Sequence, residues 1–137
     1  MTGDTLVDAC VLIDVATDDP IWGDWSAAAL EQAGQGGRLL IDPIVYAEIS
    51  IAFDRIEDVD ALLPQTVFHR ADVPYEAAFL AGKAFLAYRR RGGIKSRPLP
   101  DFLIGAHAAV RGYRLLTRDA ARFRTYFPTV EVLAPGT

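Results

Sequence analysis

Short, almost wholly apolar runs alternate along this chain with longer stretches whose apolar positions return at helical spacing. "TLVD" at 5–8 reads as a buried strand, followed by a helix over about 10–16. "DDPIWGDWSAAALEQAG" offers Asp19 as N-cap and Pro20 at the first helical position of an alanine-rich helix ending near Gly34. "GGRLLID" supplies a turn and a second strand. Asp42 and Pro43 open the helix "DPIVYAEISIAF", and "IEDVDALL" makes a further short one. "TVFHR" suits a strand. "DVPYEAAFLAGKAFLAYRRRGG" is a long helix, capped by Asp72, with Glu76 in its first turn and a Gly pair at its end. "IKSRPLP" reads as a loop, "DFLIGAHAAVRG" as a helix ending at Gly112, and "YRLLT" as a strand. "DAARFRTYF" is a short helix and "VEVLA" the last strand.

Strands that alternate with helices, and that are apolar on both faces, specify an α/β domain with a mainly parallel central sheet. Ligand sites in such sheets form outside the carboxyl ends of the strands. The length, 137 residues, fits one domain spanning 1–137. At 51% hydrophobic and 23% charged residues the chain is globular rather than disordered. It contains no apolar run of membrane-spanning length and no secretory-signal pattern, and its single cysteine, Cys10, rules out an internal disulfide framework. These features point to the cytoplasm, with no membrane partner.

Charge changes this picture. The net charge of −4 argues against nucleic acid, but its distribution does not. Residues 83–124 carry eleven cations against only Asp101 and Asp119, a net of +9; the remainder has three cations and sixteen acids, a net of −13. Such asymmetry fits either a set of solvated helix faces or an electropositive face that meets a polyanion. Arg89, Arg90 and Arg91 end a helix, where cations are favoured in any case. Arg114, Arg118 and Arg122 are the better candidates for contact with a polyanion.

Four acids stand where burial is expected. Asp8 ends the first strand. Glu48 lies in the apolar helix "IVYAEISIAF". Asp101 opens the apolar "DFLIGAHAAV", and Asp119 directly follows the strand "RLLT". Asp8, Asp101 and Asp119 each have a plain role available as helix caps, and Glu48 could pair with an arginine. Together, however, clustered carboxylates repel one another unless a cation neutralises them. Oxygen ligands without a Cys or His set favour Mg²⁺ or Mn²⁺. Combined with the basic segment, the acids describe a metal-dependent nuclease, with the arginines on the phosphate backbone.

At these residues the sequence resembles the PIN-domain ribonucleases, most closely the toxin subunit of VapBC-type toxin–antitoxin pairs, over nearly the whole chain. "LVDACVLIDV" is similar to the family's opening strand and turn and places its first acid on Asp8. "IVYAEIS" places the second on Glu48, and "LPDFLIGAHA" the third on Asp101. "RLLTRDAARFRTYFP" resembles the closing motif, with the last acid on Asp119 and a supporting hydroxyl on Thr117. The resemblance implies a three-layer α/β/α sandwich and Mg²⁺- or Mn²⁺-dependent endonuclease activity on RNA that leaves 5′-phosphate and 3′-hydroxyl ends. It also implies homodimerisation, and a cognate antitoxin whose C-terminal segment occludes the acidic groove. One departure concerns the metal shell: where the family carries Thr or Ser and then Asn or Ser after the first acid, this chain has Ala9 and Cys10.

On this reading Asp8, Asp101 and Asp119 bind the metal, with Glu48 as ligand or base. Two other readings compete: a catalytically inactive PIN-like binding module, and a metal-dependent phosphatase. His107 reads as a packed, hydrogen-bonded histidine, His69 as partnerless, Cys10 as a small core residue and Asp14 as solvent-facing. Trp22 and Trp25 pack at a helix start.

Overall fold

A computed structural model describes residues 3–93 and 99–136. Its elements in chain order are β1 (Thr5–Val7), α1 (Ala9–Ala16), α2 (Gly23–Gly36), β2 (Leu39–Ile41), α3 (Pro43–Ser50), α4 (Ile56–Leu62), β3 (Phe68–Arg70), α5 (Tyr75–Arg90), α6 (Leu99–Arg111), β4 (Arg114–Leu116), α7 (Ala121–Tyr126) and β5 (Val132–Leu133). The five strands form one sheet in the order β3-β2-β1-β4-β5, and every pairing is parallel. β1 and β2 are buried at every position, which requires helices over both faces and explains why these strands are apolar without alternation. No helix among the described residues is long and apolar enough to cross a membrane.

The element pattern read from the sequence holds, with local corrections. Asp42 caps α3 as expected: its side chain accepts from the Val45 N–H, and Pro43 fills the first helical position. Asp19 and Pro20 do not open α2. Asp19 instead accepts from the N–H groups of Ile21 and Trp22, closing a separate turn, and the helix starts at Gly23. Asp72 does not cap α5, because Pro74 sets the start of that helix two residues later. Asp8 belongs to the cap of α1 rather than to the strand. Of the expected loop "IKSRPLP", residues 94–98 lie outside the described residues, and Leu99 and Pro100 begin α6. Gly112, with φ +73°, ends that helix in a conformation that suits glycine.

Two features of α6 position the site. Gly105 lies so close to Phe127 that a Cβ would come within 2.5 Å of its ring, so α6 meets the end of α7 almost backbone to side chain. An aromatic cluster then joins α5, α6 and α7: Phe102 lies 5.9 Å from Phe85, 5.5 Å from Tyr88 and 5.2 Å from Tyr126, ring centre to ring centre. Edge-on contacts of this kind add directional preference to ordinary apolar burial. They fix the first turns of α6, where Asp101 sits.

Candidate functional site: a carboxylate cluster at the strand ends

Asp8 stands at the carboxyl end of the central strand. Its N–H donates to the Leu116 carbonyl at 2.9 Å, so β1 pairs with β4 to its last residue. Among the described residues its carboxylate is held by dipoles alone. The Ala9 N–H donates to Oδ1 at 2.8 Å, the Thr117 hydroxyl donates to Oδ2 at 2.8 Å, and the Cys10 thiol approaches Oδ2 at 3.6 Å. Thr117, the expected supporting hydroxyl, is therefore in contact with the first acid and fully buried. Cys10 is more than a small core residue, because its sulfur bridges Asp8 and Thr117, 3.8 Å from the threonine oxygen. Burial, and after it the Asp8 charge, pushes this thiol up to about 12, which keeps it protonated as a weak donor.

Glu48 projects from α3, whose Val45 and Ile49 face the core. Its Oε1 is buried without a hydrogen-bond partner among the described residues. Burial, and then the charges of Asp8, Asp101 and Asp42, push this carboxyl up to about 7. Asp8 is pushed up to about 6 by burial and by Asp101, even though three hydrogen bonds oppose the rise. Asp8, Glu48 and Asp101 thus form one electrostatic group. The fourth expected acid, Asp119, stands just past β4 with its N–H donating to the Thr117 hydroxyl at 3.2 Å, and it is not among the acids, Asp101 and Asp42 included, whose charges raise Asp8 or Glu48.

Asp101 does not cap a helix. It lies inside the first turn of α6 and makes a 2.6 Å ion pair with Arg122 of α7, whose guanidinium also lies 5.6 Å from the centre of the Tyr88 ring. Arg118 forks onto Asp14 at 2.6 and 3.1 Å and lies 5.4 Å from the centre of the Trp22 ring. Asp14 is accordingly buried and paired, contrary to the expectation that it faces solvent. Ser26 also donates to it, at 2.9 Å. Arg114, expected with the other two arginines, is elsewhere. It is the first residue of β4 and pairs in register with Thr5, at the amino ends of the strands, where its Nη2 donates to the Gly3 and Ala33 carbonyls at 3.2 and 3.4 Å. A parallel strand's first residue cannot reach a site at its last.

The donor set fits a hard divalent cation: it is made of carboxylate oxygens, two with raised proton affinity and one with an orphaned buried atom. Among the described residues no three Asp, Glu, His or Cys side chains converge closely enough to hold an ion as they stand. Sequence reasoning missed Asp42, whose charge also reaches Glu48. An Asp before Pro at a helix start gives no local sign of that second role.

The PIN domain family model matches residues 5–127. Among solved structures, one chain of the VapBC2 complex of Rickettsia felis bound to promoter DNA superposes with a TM-score of 0.74 at 18% identity, covering 96% of this chain and 98% of that one. VapBC-1 of nontypeable Haemophilus influenzae gives 0.72 at 18% identity, with coverage of 96% and 97%. A toxin–antitoxin complex of Klebsiella pneumoniae gives 0.71 at 20% identity, with the same coverage. No curated protein sequence matches the chain.

Proposed function

Because this chain belongs to the PIN domain family, we propose that it is the toxin of a type II toxin–antitoxin pair, an endoribonuclease that hydrolyses RNA phosphodiesters with the help of Mg²⁺ or Mn²⁺. The observation that carries this reading is the group formed by Asp8, Glu48 and Asp101: three interacting carboxylates at the carboxyl ends of a parallel sheet, of which Asp101 pairs with Arg122 while Asp8 and Glu48 make no ion pair among the described residues. A fold that keeps such a group bears a cost, which proton uptake relieves at low pH and a bound cation would offset at neutral pH.

Asp8, Asp101 and Asp119 would hold the ion, with Glu48 as a further ligand or as a base. A bound divalent cation supplies Lewis-acid activation of water and neutralises charge at the phosphodiester. Thr117 orients Asp8 through its hydroxyl, and Cys10 supplies a weaker donor to the same oxygen. Arg118 is anchored by Asp14, its side chain 31% exposed, so it would offer a fixed positive charge to an RNA phosphate. Arg122 reaches a phosphate only by leaving Asp101. Arg114 has no part in this reading.

The VapBC complexes that share the fold support an antitoxin partner; in this reading its C-terminal segment would occlude the acidic groove. An exposed stripe on α5, Tyr75 at 92%, Phe79 at 69% and Leu86 at 39%, supports a second copy of the chain as a further partner. The cytoplasm is the setting that fits these partners.

The test is cleavage of structured RNAs by the wild type and by Asp101→Asn in Mn²⁺, Mg²⁺ or EDTA. Activity is expected only with a divalent ion, and the variant is expected to lose roughly 10³-fold in rate, equivalent to about 4 kcal/mol. Cleavage in EDTA, or full activity of the variant, overturns the reading.

A further inference from the structure

A second buried polar contact lies beneath the cluster. Asp42 Oδ2 and His107 Nδ1 meet at 2.8 Å, 65 positions apart in sequence, with both side chains fully buried. Asp42 is the N-cap of α3, its other oxygen accepting from the Val45 N–H at 2.9 Å. His107 lies on α6, its ring edge-on to Tyr113 at 5.6 Å, with Nε2 buried and unpartnered among the described residues. These two helices are the ones that carry Glu48 and Asp101.

Capping alone does not call for this arrangement. Ser, Asn or an unpaired Asp caps a helix equally well, and burying a polar pair costs desolvation that apolar packing avoids. What the pair adds is direction. α3 is eight residues long, with Val45 and Ile49 buried and Ile44 and Tyr46 half-buried against the core, and non-directional apolar packing of this kind leaves some freedom of rotation. A hydrogen bond of fixed length from its cap to α6 removes that freedom. Rotation of α3 about its own axis is the motion that would swing Glu48 away from Asp101.

We infer that the Asp42–His107 contact is a positioning clamp that ties α3 to α6 and thereby sets Glu48 against Asp101. The inference rests on the reading of those acids as a cation site. Neither residue touches the ion or the substrate; both act through Glu48.

The probe is Mn²⁺ alone, titrated by calorimetry, with thermal melts recorded for each protein. His107→Leu keeps most of the volume and removes the donor, whereas His107→Asn keeps a donor near the place of Nδ1. The Leu variant is expected to bind Mn²⁺ about tenfold more weakly, the usual scale for losing support behind a ligand. The Asn variant is expected to retain most of the affinity. In a Glu48→Gln background the same Leu substitution should no longer matter, because the residue it acts through is gone. Should His107→Leu fail to fold, His107→Phe also lacks the donor while leaving the Asp42 charge that reaches Glu48 in place, and it carries the same test. Unchanged Mn²⁺ affinity in folded variants overturns the clamp alone, as does an equal loss in both backgrounds. A wild type that binds no Mn²⁺ overturns the cation site and the clamp with it.

Discussion

Asp8 and Asp14 lie on one turn and helix of the chain, 8% and 2% exposed, and the fold treats them in opposite ways. Around Asp14 the charge is settled internally. Arg118 forks onto it, Ser26 donates to it, and the guanidinium is in turn backed by Trp22. Around Asp8 the hydrogen-bond partners among the described residues are all dipoles, and the charges acting with it, Glu48 and Asp101, carry the same sign. Depth of burial therefore does not distinguish a functional acid from a structural one. Between these two residues the counter-charge does: Asp14 pairs with Arg118, and Asp8 makes no ion pair among the described residues, although Asp101 of the same cluster pairs with Arg122.

Substitutions at the two sites should move stability in opposite directions. Asp14→Ala strands the Ser26 and Arg118 donors and is expected to cost about 2–3 kcal/mol, near the low end for a broken buried pair because Arg118 is part-exposed. In a thermal melt this is a fall of roughly 10 °C. Asp8→Asn should stabilise the cation-free protein at pH 8, by roughly 3–8 °C. Linkage gives the sign. Asp8 and Glu48 hold their protons to about pH 6 and 7 in the folded protein, whereas in the unfolded chain they lose them near pH 4. The folded state thus binds more protons across that window, so its stability falls as pH rises through it. A wild-type Tm that declines between pH 4 and 8 without added metal, and a flatter profile for Asp8→Asn or Glu48→Gln, would sharpen the contrast. Identical profiles would erase it.

A smaller effect is expected at Arg122. Its pair with Asp101 is part-exposed, at 26% and 29%, and so is worth little to stability. Arg122→Ala should tighten Mn²⁺ binding by roughly two- to fivefold, because the cation no longer competes with a guanidinium for Asp101. The same change should lower the salt slope of RNA binding by about 1. Weaker Mn²⁺ binding would mean that Arg122 supports the ligand set rather than opposing it.

Much of this architecture is legible in residue order. The central strands β1 and β2 stand out as short apolar runs because a sheet covered on both faces has no polar side to interrupt them, whereas the edge strand β3 exposes His69 and Arg70. Asp42–Pro43 and Gly112 mark real helix ends. Asp19–Pro20 and Asp72 carry the same local chemistry but mark turns, because α2 starts only at Gly23 and α5 only after Pro74. Asp14 reads as solvent-facing because its partner is 104 positions away and no neighbouring residue signals it. Proximity in sequence groups Arg114 with Arg118 and Arg122, yet the direction of a three-residue strand carries it to the other end of the sheet. Cys10 in place of the expected hydroxyl or amide reads as a loss, but its thiol still reaches Asp8.

The most direct measurement of the central claim is the number of protons released when Mn²⁺ binds, taken from calorimetric titrations at about pH 6.5 in buffers of differing ionisation enthalpy. If Asp8 and Glu48 hold shared protons that a cation must displace, binding is saturable and releases about one proton per protein. Asp8→Asn and Glu48→Gln should each reduce both the affinity and the release. Absence of saturable binding, or binding that releases no proton, would contradict the account.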